Sequence, residues 1–257
     1  MPDGNDGVSG IDLHFGYALM VVLGFALTLS FPLTRHFQDP RDRRRYYAMQ
    51  AITAACALLG AKLAVVLGDA LWPLQEFPDW HALLGGGRSL AGALLFGFLG
   101  AEAAKPLLHY DLPPNDRFAI VLPFSIGLGR IGCLIAGCCR GEPFDGPWAI
   151  SYADGIPRHP APLYEMLFHW AMGFLLIALW RRQVLFGRLF AFYLACYGVF
   201  RFLTEFVRET PKAYGELSAY QIMSLAMIVA GLVAIVMRTV RQPESWERWR
   251  VAGKSAT

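Results

Sequence analysis

This chain is poor in charge. Asp, Glu, Lys and Arg make up 17% of its 257 residues, against 55% apolar residues, and its mean hydropathy is +0.39. So little charge is not the composition of a soluble globular protein; it is that of a membrane protein. Strand-length stretches alternating apolar and polar are missing, which argues against a transmembrane barrel. The first dozen residues hold Asp3, Asp6 and Asp12 but no Lys or Arg. A secretory signal peptide starts with basic residues, so the first apolar run reads as a retained helix. Cysteines number only five: Cys56, Cys133, Cys138, Cys139 and Cys196. All lie in or beside apolar runs, so none reads as part of a secreted disulfide framework. No internal repeat stands out, which weakens an inverted-repeat transporter. The last apolar run has no lysine for a retinal Schiff base.

What is present is a series of apolar runs. A hydrocarbon core of about 30 Å needs ~20 apolar residues per helix. Seven runs qualify: 15–34, 48–71, 82–104, 117–138, 162–180, 187–205 and 219–238. The expected fold is therefore an all-α integral membrane protein with about seven transmembrane helices. It divides into an external tail over 1–14, a membrane domain over 15–238 and a cytoplasmic tail over 239–257. Fifteen of the 23 basic residues fall on one side, in the clusters Arg35 to Arg45, Lys105 with Arg117, Arg181 to Arg188, and Arg238 onward. The positive-inside rule then places the N-terminus outside and the C-terminus in the cytoplasm. Arg41 to Arg45 read as an orientation signal attracted to anionic lipid. The run from Ala91 to Ala104 is rich in Ala and Gly, so its helix is expected to pack closely against others. Trp72, Trp80 and Gly85-Gly86-Gly87 mark one external segment. A longer one, 140–161, is rich in Gly and Pro, and Ser151 to Gly155 within it reads as a short strand or turn.

The charge that does remain is concentrated. Arg130 is the only charge over 118–139. A guanidinium at bilayer depth costs roughly 2.5–3.5 kcal/mol on insertion scales, so it is expected to face a wet cavity or an anion such as a lipid phosphate. Three other polar groups fall on the external side: Tyr17; Arg158-His159 with Glu165; and Tyr197, Arg201, Glu205 and Arg208. Spacings of four, four and three put this last set on one helical face, about 16 Å long. Each has a plain structural reading, as an ion pair, an interface aromatic or a loop hydrogen-bonder. Together they gather arginines, whose planar forks suit phosphate.

These residues resemble the bacterial prolipoprotein diacylglyceryl transferases. The family signature G-R-I/L-G is matched by Gly129 to Gly132, and an aspartate fourteen residues earlier by Asp116. R-H-P-x-Q-L-Y-E is matched by Arg158 to Glu165, with Pro162 for Gln. Y-G-x-x-R-x-x-x-E-F-x-R is matched by Tyr197 to Arg208, and L-S-x-x-Q-x-x-S-x-x-M-I by Leu217 to Ile228. A first-helix pattern is matched by Tyr17, Gly24 and Phe25, with Ala18 for Gly. The order and spacing of these motifs over some 210 residues carry the resemblance. There are departures. Ala91 stands where the family has a histidine. Cys133, Ala136 and Cys138 replace two asparagines and a glutamate, and Lys62 replaces an arginine.

The resemblance implies transfer of diacylglyceryl from phosphatidylglycerol to the thiol of a lipobox cysteine in a preprolipoprotein, with glycerol phosphate leaving. The expected catalytic residues are His159, Tyr197, Arg201 and Glu205. Arg130, Arg201 and Tyr17 are expected to bind the lipid phosphate, supported by Asp116, Arg158, Glu165 and Arg208. No cofactor, metal or nucleic acid is expected; Cys133, Cys138 and Cys139 make a poor zinc set without nearby histidines. The expected location is the bacterial inner membrane, multi-pass, with the active site toward the periplasm. Two alternatives stand beside this: a diverged member with another acceptor, in which Cys138 or Cys139 does covalent chemistry, or a non-catalytic phospholipid-binding or transport protein.

Overall fold

The computed structural model describes residues 39–70, 89–110, 116–212 and 214–240, with scattered helical positions between 16 and 30. Most of the expected first span, Tyr17, residues 71–88 with Trp72, Trp80 and the glycine triplet, and both tails lie outside the described residues. Six helices follow: α1 Pro40–Val65, α2 Leu90–Leu107, α3 Asp116–Ile135, α4 Ala161–Arg181, α5 Leu189–Thr204 and α6 Ala219–Val240. A π turn, Val66–Ala70, extends α1 and a 3-10 turn, Glu205–Val207, extends α5. All six, with these extensions, are long and apolar enough to cross a membrane. Large apolar side chains such as Leu59, Phe174 and Val236 stay exposed on them. That is the surface a lipid-embedded helix presents, and the protein is an all-α membrane protein.

Two boundaries depart from expectation. Helix α1 begins at Pro40, eight residues early, and takes Arg41 to Arg45 into its first turns. The cause is local: the Asp39 carboxylate accepts from the Arg41 amide at 2.8 Å, and proline at the first helical position has its φ already set for the helix. Helix α2 begins at Leu90 because extended Ser89 caps it, its hydroxyl accepting from the Gly92 amide.

The chain divides into two compact units. The larger holds the described residues of 33–116, 178–206 and 210–257, hence α1, α2, α5 and α6. Its helix pairs are set by missing side chains. A Cβ on Gly92 would collide with the Gly60 carbonyl and the Ala64 methyl, and one on Gly60 would run into Phe96. Across α5 and α6, a Cβ on Gly198 would stand 2.8 Å from the Ser224 carbonyl, and one on Gly231 2.6 Å from that of Ala191. Backbones this close gain dispersion contact where the hydrophobic effect offers nothing between helices in lipid. Gly92→Leu is expected to destabilise the protein by about 1–3 kcal/mol or more through overpacking, read as a lowered unfolding temperature in detergent. At one end of this unit, Glu102 pairs with both Lys105 and Arg238. Arg238 also donates to the Gly187 carbonyl at 2.8 Å. Ser218 and Gln221 close the start of α6 reciprocally, each backbone amide donating to the other's side chain, a capping box.

The smaller unit holds described residues of 1–32 with 117–177 and 207–209. Helices α3 and α4 meet where a Cβ on Gly127 would strike the Trp170 indole and one on Gly173 would lie 2.7 Å from Phe124. Between them runs the Gly- and Pro-rich segment. Its turn at Ser151 to Gly155 is confirmed as a small hairpin, strands β1 Ile150–Ser151 and β2 Pro157–Arg158 pairing antiparallel. Asp154 closes it by accepting from the Ile156 amide at 3.1 Å.

Candidate active site

Arg130 sits one turn from the end of α3, its side chain 14% exposed. Its guanidinium meets the Glu165 carboxylate at 2.5 Å, and the other oxygen of Glu165 takes Arg208 at 2.9 Å. Glu165 is 1% exposed. Two guanidiniums on one buried carboxylate leave the trio with one net positive charge. Glu165 lies just past the first turn of α4, while Arg208 comes 43 residues later in the sequence. The expected single face of Tyr197, Arg201, Glu205 and Arg208 is therefore broken. Helix α5 stops at Thr204, and Arg208 stands instead in a β-bridge with Gly141. The reason is competition for backbone partners: the Val207 carbonyl accepts from the Glu142 amide at 3.0 Å.

The other edge of the Arg130 guanidinium faces sulfur, with Cys133 Sγ at 3.7 Å and Cys139 Sγ at 4.0 Å. In the sequence these thiols group only as a poor zinc set, with no reason for their sulfurs to converge. The structure supplies one: Gly137, at φ 63°, ends α3 in the left-handed region, with the Cys138 amide donating to the Cys133 carbonyl and that of Gly137 to Leu134. This is a Schellman cap, which brings the residue after the glycine back beside the last turn. Cys139 also has positive φ, 57°.

Arg158 is largely a fastener. It donates to Glu209 at 2.9 Å and to Asp154 at 3.3 Å, and Arg140 meets the same Asp154 at 2.7 Å. His159 stacks on Phe144, ring centroids 4.0 Å apart, and its Nδ1 lies 3.1 Å from the Tyr164 hydroxyl. The Asp154 carboxyl is held below the usual carboxylate range, first by the Ile156 amide and then by Arg140 and Arg158. A depressed folded pKa means the hairpin contribution is present above the unfolded value, about 4, and is lost as pH falls through the folded one. Faster exchange of the Ile156 amide, relative to intrinsic rates, is expected on acidification below that range; Asp154→Asn should show it already at neutral pH.

Within the larger unit, Arg201 pairs with Glu205 at 2.8 Å, and its guanidinium lies 5.6 Å from the Tyr220 ring centroid. Glu205 also accepts from Thr210 at 2.7 Å and Ser218 at 3.0 Å. Tyr197 is fully buried, stacked between Tyr193 and Phe200. Asp116, fourteen residues before Arg130 and so near the opposite end of α3, accepts from the amides of Gly187 and Leu189. That caps the start of α5, a structural duty. Ala91 is buried in the first turn of α2.

One opening is conspicuous. Among the described residues, no atom beyond its chain neighbours and the adjoining backbone of its own helix lies within 4 Å of where a Gly129 Cβ would stand. Gly129→Ala is expected to fold with unchanged or slightly raised stability, since alanine favours a helix interior over glycine by roughly 0.5–1 kcal/mol. A thermal unfolding comparison with Gly92→Leu separates the two kinds of glycine.

A family model described as prolipoprotein diacylglyceryl transferase matches residues 9–237. The phosphatidylglycerol–prolipoprotein diacylglyceryl transferase of Geobacter sulfurreducens is 32% identical over 250 residues, 88% of this chain and 91% of that one. The protein of the same name from Cupriavidus pinatubonensis is 31% identical over 276 residues, covering 96% and 97%. That of Aeromonas salmonicida is 36% identical over 173 residues, covering 63% of this chain and 61% of its own. With the family model matching residues 9–237, nearly nine-tenths of its length, the chain belongs to the prolipoprotein diacylglyceryl transferase family.

Proposed function

We propose that this protein transfers diacylglyceryl from phosphatidylglycerol to the thiol of a lipobox cysteine in a preprolipoprotein, forming a thioether and releasing glycerol phosphate. Beside family membership, the observation that carries this reading is the Arg130–Glu165–Arg208 trio, net positive at the end of an apolar helix. As the carbon–oxygen bond to phosphate breaks, negative charge grows on the leaving oxygen. A guanidinium already oriented by a buried carboxylate stabilises that charge without reorganising. Glu165 is thus a positioning residue, holding Arg130 while Arg208 completes its second oxygen.

The acceptor thiol must lose its proton, since an ordinary thiol of pKa ~8.5 is mostly protonated near neutrality. Of the three candidate bases, His159 fits best. Glu205 is committed to Arg201, Thr210 and Ser218, and Tyr197 is buried among aromatics. Arg201 and Tyr17 are further phosphate-binding candidates, whose substitution should weaken lipid binding. An apolar groove of about 440 Å³ lined by Leu27, Phe124, Leu128, Trp170 and Ile177 has the chemistry of an acyl chain. The distribution of basic residues supports an inner-membrane protein with its N-terminus and active site outside and its C-terminus in the cytoplasm.

Complementation tests the reading in the cell. A bacterium depleted of its own lipoprotein transferase is expected to grow when given this chain, and not when given Arg130→Ala. Failure of a well-expressed, membrane-inserted wild-type chain to restore growth would favour a different acceptor.

A further inference from the structure

We propose that Cys133, Cys138 and Cys139 form a three-sulfur site for a soft monovalent metal cation, with Cu(I) the ion whose chemistry fits. The three Sγ atoms all lie within 4.8 Å of one another. Three sulfurs sharing one metal at about 2.3 Å each stand about 4 Å apart in a plane, so the cluster needs to contract by less than about 1 Å. The backbone is built for this convergence. The Schellman cap returns Cys138 to Cys133, and Cys139 is held in the left-handed backbone region, which is costly for a non-glycine residue. The chain holds two successive thiols against a third by accepting that cost.

The choice of ion follows from the donors. Structural zinc is almost always four-coordinate, and among the described residues the group contains three cysteines and no histidine or carboxylate. Three thiolates without a fourth donor suit a soft cation of low coordination number. The cluster is graded in burial, Cys133 buried, Cys138 half-buried and Cys139 exposed, which gives an ion a way in. Its charge is also provided for. Arg130 donates toward Cys133 and Cys139, offsetting the surplus negative charge of three thiolates on one monovalent ion. Binding replaces S–H by S–metal, each protonated thiol releasing its proton to solvent. No redox step is involved.

This site shares Arg130 with the transferase reading but does not depend on it, and its test uses neither lipid nor peptide. Full-length protein in detergent, reduced and kept anaerobic, is titrated with Cu(I) supplied as its acetonitrile complex, with bathocuproine disulfonate as competitor. One tight equivalent is expected in the wild type and in C56S/C196S, and none in C133S/C138S/C139S. The exposed Cys139→Ser alone, which guards against misfolding of the triple variant, is expected to weaken binding by about tenfold or more. Retention of the equivalent in a folded triple variant would overturn the proposal. So would absence of Cu(I) binding by wild-type protein whose five thiols all titrate as reduced.

Discussion

Arg130→Ala is expected to lower diacylglyceryl transfer by about 100- to 1,000-fold, the usual consequence of removing one donor from a developing anion. The fall should lie mainly in kcat, because the charge it answers grows only as the bond to phosphate breaks. Folding should survive, because Glu165 keeps Arg208 at 2.9 Å when Arg130 is gone. Arg130→Lys preserves charge but not the planar fork that touches carboxylate and sulfur on different edges, so it is expected to recover only part of the rate. Initial rates with labelled phosphatidylglycerol, compared at equal amounts of monodisperse protein, check this. An unchanged rate in Arg130→Ala would remove the residue from the chemistry.

Glu165→Ala is expected to act on stability before activity. It leaves two guanidiniums facing one another without the 1%-exposed carboxylate between them. Breaking a buried ion network by removing one partner costs about 3–5 kcal/mol. The unfolding temperature in detergent should fall clearly. The double variant E165A/R208A should regain part of the loss, since one of the two stranded charges goes with it. Equal stability of the single and double variants would show that Arg208 and Glu165 are not coupled. This pair of measurements also distinguishes a positioning role from a merely structural one. In the surviving folded fraction, Glu165→Gln should depress kcat while leaving KM for lipid nearly unchanged.

Much of the fold was legible in the sequence because lipid imposes a single rule: about 20 apolar residues per crossing. The helices from Asp116, Ala161, Leu189 and Ala219 start within two residues of expectation. The two that do not are governed by caps, Asp39 and Ser89. Hydropathy does not register a single hydroxyl or carboxylate accepting from an amide. The close-packed glycines of α2 were foreshadowed by composition, though not their partners Gly60 and Ala64.

The sequence names candidate site residues but not how they pair. Glu165, expected as a supporting residue, is the carboxylate on which Arg130 and Arg208 converge. Helical spacing placed Arg208 with Arg201, because periodicity cannot see that Glu142 and Gly141 take up the backbone of Val207 and Arg208. Asp116 and Arg158 are ordinary fasteners, one capping α5 and one tying the hairpin to Glu209. Cys133, Cys138 and Cys139 read from the sequence as a poor zinc set, with Cys138 or Cys139 a candidate for covalent chemistry. Their convergence follows from Gly137, whose position one residue before Cys138 is a helix-stop signal with a known geometry.

The most direct test of the account is product analysis in a defined system. Purified protein is reconstituted with phosphatidylglycerol and a peptide bearing one lipobox cysteine, and the peptide mass and the released phosphate are followed together. The peptide is expected to gain one thioether-linked diacylglyceryl group, with one glycerol phosphate released per peptide, and neither product is expected with Arg130→Ala. Folded wild-type protein that binds the lipid yet leaves the peptide unmodified would contradict it.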